Sequence, residues 1–331
     1  MARTRRLASI HIPSTACAAA LSVALLAGCG PGEPEPASYA SMLTDSARLD
    51  VPGGSMWYRA TGSGTGTPVI LLHGGPGFSS FYLKPMEELG SDRPVVRYDQ
   101  LGSGRSDATT DTTLFNVETF VAQLEALREH LGIERFHLYG HSWGTMLGVE
   151  YYRAHPDRVE SLVLASAALD APLWERHARE LLTNLPDSMV RAVEQREAEG
   201  NYQAPDYQAA LEAFYARYVW LRPHPADLDS TLATFSEAVY GYMWGPSEFT
   251  VNGTLRDFDV TGFLPQITVP VLYTVGEVDE AGPENIRRFA DLTPGARYLV
   301  IPDAAHVTAW DNPEADVAAV RGFLREVDAG R

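Results

Sequence analysis

Thiols are almost missing from this 331-residue chain: its two cysteines, Cys17 and Cys29, both fall in the first 29 residues. A domain that begins after them has no thiol for a disulfide framework or a thiolate metal site. Basic residues are scarce too, 26 Lys and Arg against 43 Asp and Glu, for a formal net charge of −17. A surface of that sign repels nucleic acid and anionic lipid headgroups, so no nucleic acid is expected as a partner. Solubility explains most of the charge, with cationic substrates as a secondary use. Long apolar runs are also lacking. The small-residue stretch at 16–27 is too short for a comfortable membrane span. No internal repeat is visible. What the chain does have is 45% hydrophobic and 10% aromatic residues, enough for one large α/β domain with an inserted subdomain.

The N-terminus stands apart from that domain. Arg3, Arg5 and Arg6 precede the apolar stretch, the order of a secretory signal. Leu26-Ala27-Gly28-Cys29 resembles a bacterial lipobox, in which the cysteine is lipidated and becomes the mature N-terminus. Residues 1–29 therefore read as a lipoprotein signal peptide, with Cys29 as the lipid anchor of an exported protein on a bacterial membrane. An ordinary signal and a secreted product are the alternative. Removing the segment takes away three arginines and no acid, which moves the net charge to −20. Residues 30–44, rich in Pro, Gly and Glu, read as a flexible tether.

From 45 to 168 the pattern is that of an α/β core. Short β-like runs flank Pro52-Gly53-Gly54. The apolar segments 68–72, 94–98, 136–139 and 160–165 read as parallel strands buried on both faces, and 116–131 has helical spacing up to Gly132. Alternating strands and helices imply right-handed crossovers and a mostly parallel sheet. Residues 169–250 change character. They contain no convincing strand and read as helices around 174–184, 187–199, 206–220 and 230–240, with many aromatics, and so as an inserted helical lid. The α/β pattern resumes over 251–328, with strands at 269–275 and 296–301 and helices at 283–292 and 313–327.

The chemistry centres on Gly140-His141-Ser142-Trp143-Gly144, which sits between an apolar run and a helix-like pattern. G-x-S-x-G is the spacing of a nucleophile elbow, where a tight strand-to-helix turn pushes the serine hydroxyl outward. A nucleophilic serine needs a base, and the base needs an acid that fixes its tautomer. Strand 271–275 leads into Glu277 and Asp279, and the strand ending near Ile301 leads into His306. Both loops lie past the C-terminal ends of strands, where open α/β sheets place their sites. The order Ser142, Asp279, His306 is that of the α/β-hydrolase fold. Glu277 is the rival acid, and Asp279 is preferred because it stands further out in its loop. An oxyanion hole needs backbone amides. Trp143, after the nucleophile, and Gly75, in the glycine-rich loop after 69–72, fit that need. His73, His137 and His141 read as structural. Such machinery uses neither metal nor cofactor.

His73-Gly-Gly-Pro-Gly77, Asp99-Gln-Leu-Gly-Ser-Gly-Arg-Ser106, the elbow and Met243-Trp-Gly-Pro-Ser-Glu-Phe249 together resemble the proline iminopeptidase family. The branch most similar contains the tricorn-interacting aminopeptidase and the L-amino acid amidases. Gly253-Thr-Leu-Arg-Asp-Phe-Asp259, Val275-Gly-Glu-Val-Asp-Glu280 and His306-Val-Thr-Ala-Trp310 continue the likeness, which spans about residues 48–327. The resemblance implies the same triad and oxyanion amides. It also implies carboxylates that bind the α-amino group of the substrate, at Glu248 and Glu280. The implied activity is that of a serine aminopeptidase which releases proline or another apolar N-terminal residue from short peptides through an acyl-enzyme. An amino-acid amidase or esterase would use the same machinery, and a non-catalytic surface-binding lipoprotein would be expected to lack a triad member. Thr145 departs from the family pattern, where a second glycine is common.

Overall fold

The structure, a computed structural model, describes residues 42–223 and 226–330. The expected signal, Cys29 and the tether up to residue 41 lie outside the described residues. Met42 is buried in the core and the first strand starts at Thr44, so the last three residues assigned to the tether belong to the sheet domain.

Eight strands form one sheet in the order β1-β2-β4-β3-β5-β6-β7-β8. The hairpin β1 (Thr44–Val51) and β2 (Gly54–Thr61) is antiparallel, and β2 runs antiparallel to β4 (Val95–Tyr98). The remaining neighbours are all parallel: β4 with β3 (Val69–Leu72), β3 with β5 (Phe136–His141), β5 with β6 (Val159–Ala165), β6 with β7 (Val271–Gly276), and β7 with β8 (Arg297–Ile301). The central strands are apolar without alternation because helices cover both faces. Ile70 and Leu72 join the core under α1 (Val117–His130) and α2 (Trp143–Ala154), whereas Val69 and Leu71 pack with Val320 and Leu324 on the other side. The Asn116 side chain accepts from the Thr119 amide at 2.8 Å and caps α1, so the helix starts where the apolar spacing begins.

Between β6 and β7 the chain inserts α3 (Ala171–Leu182), α4 (Asp187–Glu199), α5 (Pro205–Tyr218), α6 (Ala226–Ala233) and α7 (Glu237–Met243). The single helix expected over 230–240 is two. Ser236 ends the run: its side chain accepts from the Val239 amide as the cap of α7, and its own amide donates to Gly77 O at 2.9 Å. The break thus docks the insertion onto the glycine loop. Helix α8 (Pro283–Leu292), a single turn α9 (Thr308–Asp311) and α10 (Pro313–Ala329) complete the domain. A 3₁₀ segment at Ser80–Ser91, with Pro85 inside it, was not expected from the sequence. Among the described residues no helix is long and apolar enough to cross a membrane.

Candidate active site

Ser142 stands between β5 and α2 with φ 54° and ψ −124°, a conformation that costs a non-glycine residue about 1–3 kcal/mol. Its backbone is held at both ends. The amide donates to Ala165 O at 3.0 Å, and the carbonyl accepts from the Thr145 amide and hydroxyl at 2.8 and 2.6 Å. The Thr145 hydroxyl also accepts from the Ala168 amide at 3.0 Å, which ties the elbow to the segment after β6. The two glycines of the motif have a steric cause. A Cβ on Gly140 would run into the Gly144 carbonyl, and one on Gly144 would run into the Leu72 carbonyl. Only glycine lets β5 turn this sharply against β3.

The loop after β7 brings Asp279 to His306, with Oδ1 2.8 Å from Nδ1. Asp279 also accepts from the amides of Ala281 at 2.8 Å and Gly276 at 3.3 Å. Burial opposes its ionisation, but the neighbouring His306 and these hydrogen bonds outweigh burial and hold it below the ordinary carboxylate range. Glu277, the rival acid, is exposed and accepts from the Asp303 amide instead. His306 Nε2 is left facing the cavity that Ser142 also lines.

Gly75 borders the same cavity at φ 109°, in the left-handed region that suits glycine. Trp143 is the first residue of α2, so its amide is among the donors that a helix start leaves unsatisfied. Gln100 clamps these two segments together. Its side chain accepts from the Trp143 indole at 2.9 Å and donates to the His73 carbonyl at 3.4 Å, while its amide donates to His73 Nε2 at 3.0 Å. Asp99 anchors the clamp by accepting from the Ser80 amide at 2.7 Å and from the Arg105 guanidinium at 2.8 Å. The glycine-rich and Asp-Gln motifs, far apart in sequence, are therefore one bracket around the elbow.

Glu248 and Glu280 line the same cavity. Glu248 accepts from the Tyr240 hydroxyl at 2.6 Å. Glu280 is 1% exposed, its Oε1 lies 3.9 Å from His306 Nε2, and its Oε2 has no hydrogen-bond partner. Burial, then the like charges of Glu248 and Asp279, push Glu280 well above the usual carboxylate range; burial also raises Glu248. A cation placed between the two would relieve both effects. Among the described residues no group of three or more His, Cys, Asp or Glu side chains is placed to hold a metal ion.

Sequence reasoning missed the backbone that α5 contributes. Tyr218 O accepts from the amides of both Glu280, at 3.2 Å, and His306, at 3.1 Å, and Val219 O accepts from Val307 at 2.9 Å. Asp311 adds a second tie, accepting from the amides of Leu221 and Ala305, each at 2.8 Å. Carbonyl contacts leave no mark on residue type, so nothing in the sequence pointed to Tyr218. Asp311 has the signal of an acid at a loop-to-helix boundary, but acids there are common.

Residues 67–313 match the family described as the alpha/beta hydrolase fold, and the chain belongs to it. The proline iminopeptidase of Heyndrickxia coagulans is 40% identical over 282 residues, covering 84% of this chain and 98% of the relative. Among solved structures, the proline iminopeptidase of Mycobacterium smegmatis superposes with a TM-score of 0.79 at 35% identity, over 86% of this chain and 99% of that one. VinJ does so with a TM-score of 0.82 at 34% identity, over the same shares. Within the α/β hydrolases, the chain is a serine hydrolase of the proline iminopeptidase family.

Proposed function

We propose that the protein is a serine aminopeptidase that releases proline, or another apolar residue, from the free N-terminus of short peptides. The observation that carries this reading is the Glu248–Glu280 pair, which shares one cavity with Ser142 and His306 and leaves a buried carboxylate oxygen without a donor. A primary or secondary ammonium supplies both the positive charge and the donor protons that this wall lacks. A chain that continues on the N-terminal side would bring a neutral amide instead, and the acids would stay unpaired. Apolar side chains from the insertion, among them Tyr215 and Val219, line the same cavity and suit a proline ring.

The arrangement supports the following reaction. Ser142 Oγ attacks the carbonyl carbon of the first residue while His306 Nε2 takes the hydroxyl proton. Asp279 holds the Nδ1–H and stabilises the imidazolium. The amides of Gly75 and Trp143 receive the developing oxyanion. His306 then gives its proton to the leaving amine, the C–N bond breaks, and the acyl-enzyme remains on Ser142. Water attacks that ester with His306 as base and frees the amino acid.

A substrate panel tests the reading: proline, alanine and phenylalanine nitroanilides, with free and with acetylated amines, beside the corresponding amides and esters. Turnover confined to free amines supports it, and equal turnover of acetylated substrates sinks it. Because the acids select the amine and not the leaving group, faster turnover of simple amides than of peptides would move the assignment to an amidase.

For the N-terminus we propose export and lipidation at Cys29, supported by the lipobox-like sequence. Cys29→Ala should move the protein from the membrane fraction to the soluble fraction and abolish labelling by a radioactive fatty acid. Retention of both would remove the anchor.

A further inference from the structure

We propose that Tyr82 and His141 are positioning residues: they form a one-directional hydrogen-bond chain that ties the glycine loop at Gly74 to the backbone of His306. The inference rests on the roles assigned above to Ser142, His306 and the Gly75 amide. It concerns what keeps the oxyanion donors and the base at a fixed spacing.

The chain can be followed atom by atom. The Gly74 amide donates to the Tyr82 hydroxyl oxygen at 2.6 Å. The Tyr82 hydroxyl lies 2.9 Å from His141 Nδ1, and His141 Nε2 lies 2.8 Å from the His306 carbonyl. A carbonyl only accepts, so the His141 proton sits on Nε2. Burial, then the charge of His306, press His141 down to about 3, so the ring carries that single proton and Nδ1 must accept from Tyr82. Each donor in the chain therefore meets one acceptor, in one direction only.

Ring packing adds stiffness. Tyr82 meets His141 edge-on at 5.2 Å between centroids, and His141 lies 4.7 Å from the His306 ring. Movement of His141 would therefore displace His306. The Ser142 neighbour could have been any residue that packs in the elbow; a histidine there gives one bond toward each half of the site. The His306 carbonyl also accepts from Ser166 Oγ at 3.1 Å. That second donor would keep the loop folded when the His141 bond is cut, so positioning can be lost without the fold.

Tyr82→Phe removes one oxygen and keeps the ring. The readout is the rate at which an alkyl phosphonofluoridate modifies Ser142, a reaction that forms the Oγ–P bond, expels fluoride and sends the hydroxyl proton to His306. Charge develops on the phosphoryl oxygen as it would on a tetrahedral intermediate, without any peptide substrate. With thermal unfolding showing a folded variant, this rate and kcat should both fall about 10- to 100-fold while KM stays within about threefold, the mark of lost alignment at the reacting atoms. His141→Asn, which keeps an acceptor for Tyr82 but not the donor to His306, should fall between the two and serves in place of Tyr82→Phe if that variant does not fold. A folded variant that reacts within about twofold of wild type overturns the proposal. If the wild-type protein itself is not modified at Ser142, the nucleophile assignment is at fault, and the relay falls with it.

Discussion

Every residue of β5 is buried, whereas in α4 only Val193 is. The two elements represent two ways of holding a segment in place. In the sheet, position follows from a parallel hydrogen-bond ladder with helices on both faces, and the elbow can store backbone strain because β3, β5 and β6 over-determine it. In the insertion the helices are largely polar on their outer faces, and they find their place by docking. Tyr218 O receives the amides of Glu280 and His306, and the Ser236 amide reaches Gly77 O. The insertion is thus wired into the backbone of the Asp279–Glu280 and His306 loops and does more than cover them. In the proposed reaction the sheet supplies bond-making groups, and the insertion, through Glu248, Tyr240 and the aromatic wall, supplies choice of substrate.

Breaking the sheet side should have the largest effects. Ser142→Ala is expected to lower kcat by about 10⁶-fold and to leave the circular dichroism spectrum unchanged; unchanged turnover would end the mechanism. Asp279→Asn keeps the shape of the loop but presents the wrong partner to His306 Nδ1, and kcat should drop about 10⁴-fold, measured on the proline nitroanilide. Turnover within about tenfold of wild type would hand the acid's role to Glu277.

Changes at the recognition wall should act on binding. Glu248→Gln should raise KM for free-amine substrates about 10- to 100-fold, leave acetylated ones nearly unaffected, and lower kcat far less than the triad variants do. Equal effects on both substrate types would erase the division of labour. The raised pKa values of Glu248 and Glu280 add a sign. An ammonium favours the ionised carboxylates, so binding of an amine product must release protons, and its affinity should rise with pH until the amine itself deprotonates. Calorimetry in buffers of different ionisation enthalpy measures that release, and proton uptake would contradict it.

The smallest effect belongs to the sheet side. Asp316 of α10 is fully buried, accepts from Thr308 Oγ1 at 2.6 Å, and is raised by burial from 3.8 to about 6. The folded protein therefore keeps this proton over a range where the unfolded chain has released it. Its contribution to stability is full below about pH 4 and is lost as pH rises to about 6, after which it changes no further. Asp316→Asn should flatten that part of the melting-temperature profile relative to wild type; an identical slope would show that the group ionises freely.

Much of this architecture is legible in the sequence. The strand at 69–72 announces itself as an apolar run, because a strand buried on both faces needs no polar position. Ser142, Asp279 and His306 were legible because each follows a strand end, and strand ends in an open α/β sheet share one edge. The break at Ser236 was not, since a serine in a helical pattern signals a cap only when a partner holds its amide, and that partner is Gly77. Tyr82 was equally silent: its bonds go to residues 8 and 59 positions away.

The sequence by itself determined most of the elements, their alternation, the elbow with its two glycines and the residue types able to do acyl transfer. Those follow from local sterics and from hydrophobic period, which each segment carries independently of the others. Tertiary structure alone decided that Glu280 and Glu248 line one cavity, with one Glu280 oxygen unpaired. It also decided that the Tyr218 carbonyl of α5 ties the loops of Glu280 and His306, and that Tyr82 and His141 run between Gly74 and the His306 carbonyl. These are distances between groups far apart in the chain, and a linear order of residues holds no distances until the core has packed.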